Sequence, residues 1–336
     1  MDLFALTRKL IDVESVTGNE GAVGELLAGE LNALGYAVRM IPVEGARKNV
    51  FALPPGVTHP EITLSTHMDV VPPFFASSED VENIYGRGAC DAKGIIAAQI
   101  AAAEKLRAED IAIGLLFVVG EERDSLGAKI ANNLARELHG GRCRFLINGE
   151  PTENRVALAS KGTLRVQLTA NGKMAHSAYP ELGDSAIEKL VHALERLLKM
   201  PLPAHPEFGR CTLNIGLIEG GRATNVIPDH ARAQLLYRLI ESSDELRRQI
   251  IQTVGDAARV EFTLEIPFTK LRALDGLPTM IAAFTTDIPA LPDWGEPMLL
   301  GPGSIHVAHT EREYISKREL TEAVDLYCRV AKGLQS

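Results

Sequence analysis

The 336-residue chain is 46% hydrophobic and 24% charged, with a formal net charge of −9. That balance fits a globular protein with room for a large core and two domains. It gives no electrostatic footing for a nucleic-acid partner, and no apolar run approaches the length of a membrane span.

The opening segment MDLFALTRKLIDVESV mixes apolar and charged residues at helical spacing and lacks the apolar core of a secretory leader. Leu3, Leu6 and Leu10 share one helical face. Val23, Leu26, Leu27, Leu31 and Leu34 share another, which Gly35 stops. Strand-like stretches follow at YAVRMI, NVFAL, EITLSTH, IAIGLLFVV and CRFLIN, with the alanine-rich helix KGIIAAQIAAAEKLRAE among them. This alternation predicts an α/β fold: a mixed, mostly parallel sheet with flanking helices, whose ligands bind beyond the carboxyl ends of the strands.

Near Lys161-Gly162 the pattern changes. TLRVQLTA alternates like a half-exposed strand, and DSAIEKLVHALERLLKM is an amphipathic helix with Ile187, Leu190, Val191, Leu194 and Leu198 on one face. Two strands, a helix over SDELRRQIIQTVGDAA and the strand VEFTLEI complete a β-α-β-β-α-β order. That order predicts a ferredoxin-like α+β domain over 163–268, inserted into a main domain of 1–162 and 269–336. Ser316-Lys317-Arg318-Glu319 reads as a capping box for a final helix carrying Leu320, Val324, Tyr327, Ala331 and Leu334 on one face. Cys90, Cys143, Cys211 and Cys328 are scattered with no CxxC pair, and read as free thiols of a reducing cytoplasm.

Five polar clusters follow apolar strands or sit in glycine loops: STHMDVV with His67 and Asp69, GRGACDAKG with Asp91, GEERDSLG with Glu121 and Glu122, NGEPT with Glu150, and GPGSIHVAHTEREYIS with His306 and His309. Each alone has a plain reading as a strand terminus, an N-cap, a solvated helix start, a proline turn or a histidine-bearing loop. Residues i and i+2 of an extended chain point to one side, so Asp69 can hydrogen-bond the His67 ring. The glycines of GRGACD do not make a dinucleotide loop, because Asp91 occupies the place of the third glycine. Neither GxSxG nor GxxxxGK occurs. Together the clusters offer imidazole and carboxylate with no thiolate, a donor set for a divalent ion such as zinc, and the surplus acids suit two ions sharing one bridge.

In this order the clusters resemble the di-zinc amidohydrolase family of acetylornithine deacetylase, succinyl-diaminopimelate desuccinylase, aminoacylase and glutamate carboxypeptidase. GKMAHSAYPELGDSAI and ATNVIPD in the expected insert extend the resemblance over residues of about 60 to 330. It implies that His67, Asp91 and Glu150 hold one Zn2+, and that Asp91, Glu122 and His309 hold the other, with Asp91 bridging and Co2+ as an alternative metal. Asp69 would orient His67, and Glu121 would be the general base. His176 would reach the partner subunit's site in a homodimer formed through the insert, and Asn225 and Arg238 would contact substrate. Two departures bear on pocket shape: PPFFASSEDVENIYGRG is shorter than the usual loop, and the segment between Pro267 and Gly301 is short.

The expected activity is hydrolysis of an N-acyl amino acid amide in the cytoplasm. N-acetylornithine, cleaved to ornithine and acetate in arginine biosynthesis, is the first candidate. Succinyl-diaminopimelate, N-acetyl-lysine and peptides (a dipeptidase or carboxypeptidase) are the alternatives. A non-catalytic binding homologue would have lost a ligand or the base, and here Glu121 and all five candidate ligands are present.

Overall fold

A computed structural model describes residues 1–335. The chain divides into two compact units: Met1–Leu158 with Leu271–Met280 and Thr286–Ser336, and Ala159–Lys270 with Ile281–Thr285. Each unit has its own apolar core.

The first unit opens with helices α1 (Leu3–Ile11) and α2 (Gly21–Ala33), then a hairpin of β1 (Ala37–Glu44) and β2 (Arg47–Leu53). Strand β3 (Ile62–His67), helix α3 (Gly94–Arg107), strand β4 (Ile113–Val118), helix α4 (Leu126–Asn133) and strand β5 (Phe145–Asn148) follow. In the second unit come β6 (Gly162–Asn171), α5 (Ala186–Lys199), β7 (Thr212–Gly220), β8 (His230–Leu239), α6 (Asp244–Val254) and β9 (Arg259–Ile266). The chain returns to the first unit with β10 (Glu296–Leu299) and ends in α7 (Lys317–Gly333).

The main sheet runs β1-β2-β4-β3-β5-β10, with the hairpin antiparallel at one edge and the other four strands mutually parallel. β3 and β4 are buried along their whole length, as strands covered by helices on both faces must be. The parallel register aligns His67 with Val118, and Ser65 with Asn148, which in turn pairs with Leu299. The segments after His67, Val118, Asn148 and Leu299 therefore leave the sheet at one end, and each carries one of the polar clusters. Ser316 caps α7 as expected, its Oγ accepting from the Glu319 N–H at 3.4 Å. Between Pro267 and Gly301 the structure has short strands and one 3-10 turn but no α-helix.

The second unit is a four-stranded antiparallel sheet, β7-β8-β6-β9, the ferredoxin-like order. The apolar stripe expected on α5 splits in two. Leu190 and Leu194 pack into the core, whereas Ile187, Val191 and Leu198 face outward. Beside them, edge strand β7 exposes Leu217 and Ile218 at 62% and 60%. A helix that serves two surfaces needs apolar residues on more than one stripe, which a single-face reading of its periodicity merges. All four cysteines are free and buried, and among the described residues no helix is long and apolar enough to cross a membrane.

Candidate metal centre

β3 ends in His67, whose Nε2 lies 2.9 Å from Asp91 Oδ1. Its Nδ1 lies 2.9 Å from the backbone carbonyl of Asp69, with the Asp69 carboxylate farther off at 3.6 Å. The ring is thus oriented chiefly by the Asp69 main chain. The Asp69 carboxylate has another task. It accepts the N–H groups of Gly120, Glu121 and Glu122 at 2.9, 3.1 and 3.2 Å, and the Thr17 hydroxyl at 2.8 Å. A charged acceptor in that place pins the turn that presents the two glutamates.

That turn leaves β4 through Gly120, whose φ of +82° is a left-handed conformation that suits glycine and few other residues. The Gly120 carbonyl then accepts from the N–H groups of Asp124 and Ser125. Asn49 stitches the ends of the same turn together, accepting from the Val119 N–H at 3.1 Å and donating to the Gly127 carbonyl at 2.8 Å.

Asp91 lies on a non-helical kink just before α3, and its carboxylate serves two histidines. Oδ1 faces His67, and Oδ2 lies 3.3 Å from His309 Nε2. His309 Nε2 also lies 2.8 Å from Glu122 Oε1. Two three-residue groups emerge, each with ligand atoms within 4.8 Å of one another: His67, Asp91 and Glu150, all buried, and Asp91, Glu122 and His309, which run from buried to exposed. A further group of His67, Glu121 and Glu122 places Glu121 beside both. His306 belongs to none of these groups.

The electrostatics describe a site short of positive charge. Burial, reinforced by the Glu150 charge, pushes the Glu121 carboxyl well above its usual range. Burial does the same to Glu150 and, more mildly, to Glu122. Burial also acts on Asp91, but its hydrogen bonds to His309 and His67 outweigh it and hold the carboxyl low. Hydrogen bonds donated to Asp91 and Glu122 raise His309 to about 10. One oxygen of Glu150, Oε1, is buried with no hydrogen-bond partner. An orphaned carboxylate oxygen beside a histidine and a second carboxylate, among acids whose charged form burial disfavours, is the donor set a divalent ion would complete. The residues fit such ions.

Asp287 lies in the short segment between Pro267 and Gly301 and is not among the residues the sequence marks. It is buried, neither carboxylate oxygen has a hydrogen-bond partner, and burial raises it to about 7. Its charge bears on both Glu121 and Glu150. No local pattern marks it, because its neighbours come from distant segments.

The remaining expected site residues lie in the second unit. The backbone of His176 bridges to Val226 and the Ser177 N–H donates to the Asn225 carbonyl at 3.0 Å, so His176 and Asn225 share one pair of loops. Both are exposed. His176 Nδ1 accepts from the Ala178 N–H at 3.1 Å. Arg238 lies at the opposite end of β8, donates to Thr163 Oγ1 at 2.8 Å and pairs with no carboxylate among the described residues.

Residues 158–261 match the model of the peptidase dimerisation domain of M20 enzymes. The chain is 36% identical to a peptidase M20 domain-containing protein of Schizosaccharomyces pombe, over 98% of this chain and 84% of that protein. It is 39% identical to a probable carboxypeptidase of Neosartorya fischeri, over 98% and 86% of the two chains. Among solved structures, the aminopeptidase PepT of Bacillus cereus superposes with a TM-score of 0.80 at 23% identity, over 99% and 98% of the chains. A tripeptidase of Staphylococcus aureus does so with 0.82 at 22% identity, over 98% of each chain. The chain belongs to the M20 peptidase family and is a metal-dependent hydrolase.

Proposed function

We propose that the protein is a two-metal exopeptidase or amidohydrolase that releases an amino acid bearing a free carboxylate from a small peptide or N-acyl amino acid. The observation that carries this reading is the divided carboxylate of Asp91, with one oxygen toward His67 and the other toward His309. His67, Asp91 and Glu150 would hold one ion, and Asp91, Glu122 and His309 the other. The imidazole and carboxylate donors suit zinc, with cobalt as a workable substitute. Bound there, the ions would polarise the scissile carbonyl and lower the pKa of an attacking water. Glu121 would accept the proton of that water and return it to the leaving amine, a role suited to a carboxyl whose pKa is already raised. Asp69 supports this chemistry by fixing the turn that carries Glu121 and Glu122.

The exposed apolar edge of β7 and α5, together with the dimerisation-domain match, supports a homodimer through the second unit. In such a dimer His176 would act in the partner's site, where a single oxyanion donor is worth roughly 3–4 kcal/mol. Arg238, lacking a carboxylate partner, and Asn225 are the proposed contacts for the substrate's carboxylate and amide. A cytoplasmic location rests on the four free thiols. The names of the fungal relatives favour peptides as substrates, and nothing in them favours N-acetylornithine, which stands on the motif resemblance alone.

The test is amine release by metal-stripped protein, before and after zinc is restored, on dipeptides, N-blocked dipeptides, N-acetylornithine and succinyl-diaminopimelate. Zinc-dependent turnover of peptides above the acylated amino acids is expected. Failure on every substrate by protein holding two zinc ions would reject the reaction while keeping the site.

A further inference from the structure

Glu313 and Arg87 have no role in the chemistry above, yet both are buried charges. Arg87 Nη1 donates to Glu313 Oε2 at 2.7 Å, and neither side chain is more than 1% exposed. The other oxygen of Glu313, Oε1, accepts the backbone N–H groups of Cys90 and Asp91, each at 3.2 Å. The Glu313 carbonyl accepts the Gly86 N–H at 3.1 Å. Arg87 is fixed in turn: its Nε donates to the Pro73 carbonyl at 3.2 Å, and its guanidinium lies 4.9 Å from the centroid of the Phe75 ring.

These contacts join two segments distant in sequence. One runs from Gly86 to Asp91. The other leads from His309 to Glu313 and continues directly into the strand Tyr314–Ser316. The first supplies the carboxylate that faces both histidines, and the second supplies one of those histidines. A buried ion pair contributes little net stability, since desolvation offsets its attraction and apolar residues of similar volume often serve as well. Its hydrogen bonds here go to the main chain beside a ligand, which is how outer residues fix ligands in metal sites.

We propose that Glu313 is a positioning residue. With Arg87 it clasps the Asp91 segment to the His309 segment and so sets the separation of the two half-sites. The proposal rests on the two-metal reading. The half-site of Asp91, Glu122 and His309 depends on the clasp more than the other, whose His67 and Glu150 are held at the ends of β3 and β5.

The test is chelator-competed zinc titration of the wild-type protein, Glu313→Ala and Glu313→Gln, with thermal unfolding of the metal-free forms alongside. The wild-type protein should bind two zinc ions. In Glu313→Ala the weaker zinc should lose about 10- to 100-fold in affinity, with a smaller change in the tighter one. Glu313→Gln keeps an acceptor for the two N–H groups and should recover part of that loss, which a purely structural role would not produce. If Glu313→Ala does not fold, Glu313→Gln decides through a several-fold loss at the weaker zinc. An unchanged second affinity in the folded variant would overturn the clasp while leaving the metal centre intact. A wild-type protein that does not bind two zinc ions would overturn the metal reading, and the clasp with it.

Discussion

His67 and Glu150 stand at or just beyond the ends of buried parallel strands, and the group they form with Asp91 is buried throughout. Glu122 and His309 stand on loops; 8% of the Glu122 side chain and 47% of the His309 side chain are exposed. The two half-sites share Asp91 but are built differently. The first takes its geometry from the register of the sheet, which the strand hydrogen bonds fix as part of folding. The second has no such frame. It is assembled by carboxylates that collect backbone N–H groups: Asp69 on the Gly120–Glu122 turn and Glu313 on the Cys90–Asp91 segment. A loop-borne ligand can be as well placed as a strand-borne one, but it depends on distant side chains.

The largest expected effect falls on Glu121, which sits beside both half-sites. Glu121→Gln should lower kcat by about 10²- to 10⁴-fold, with zinc content unchanged. Loss of metal along with activity would make Glu121 a ligand instead. Next come the histidines, which separate the half-sites. In metal analysis after equilibrium dialysis, His309→Ala should retain the strand-borne zinc and lose the other. His67→Ala should lose the strand-borne zinc, and equal losses from both variants would erase the distinction.

Smaller still is the contribution of the turn. Asp69→Asn keeps an acceptor but gives up the charge that three N–H groups and a hydroxyl share. It should cost about 1.5–3 kcal/mol in denaturant unfolding, and weaken zinc at the Glu122 half-site more than at Glu150. The mildest effect is a pH slope in metal-free protein. His309 is raised from 6.5 to about 10, so the stability it adds is complete below the lower value and fades as pH rises through the upper one. Asp287, raised from 3.8 to about 7 by burial, holds its proton longer in the folded state, so it too costs stability as pH rises. The signs agree. The metal-free melting temperature should fall between about pH 6 and about pH 9, and saturating zinc should remove most of that slope. A flat metal-free profile would show that these groups are not coupled as the geometry implies.

Much of the frame was legible in the sequence because it is written in short-range patterns. Apolar runs marked β3, β4 and β5, the polar residues after each fell where a parallel sheet gathers them, and the β-α-β-β-α-β order marked the second unit. Supporting interactions were less legible. Arg87 and Glu313 are 226 residues apart, and nothing near either marks the other as its partner. The pairing of Asp69 with His67 was expected through the carboxylate; that carboxylate lies 3.6 Å from the ring, but the closer contact is to the main chain at 2.9 Å, and the carboxylate also holds the neighbouring loop. Alternation along a strand gives the side of a residue, not which of its oxygens another segment will take. Asp287 escaped notice for the same reason, and the outward stripe of α5 did so because periodicity does not count the surfaces a helix must meet.

Zinc stoichiometry of the metal-stripped and reloaded wild-type chain, set beside His309→Ala, tests the shared-carboxylate centre most directly. Two zinc ions per wild-type chain and one per variant chain are expected. Fewer than one per folded wild-type chain, or the same number in both, would contradict a centre divided at Asp91.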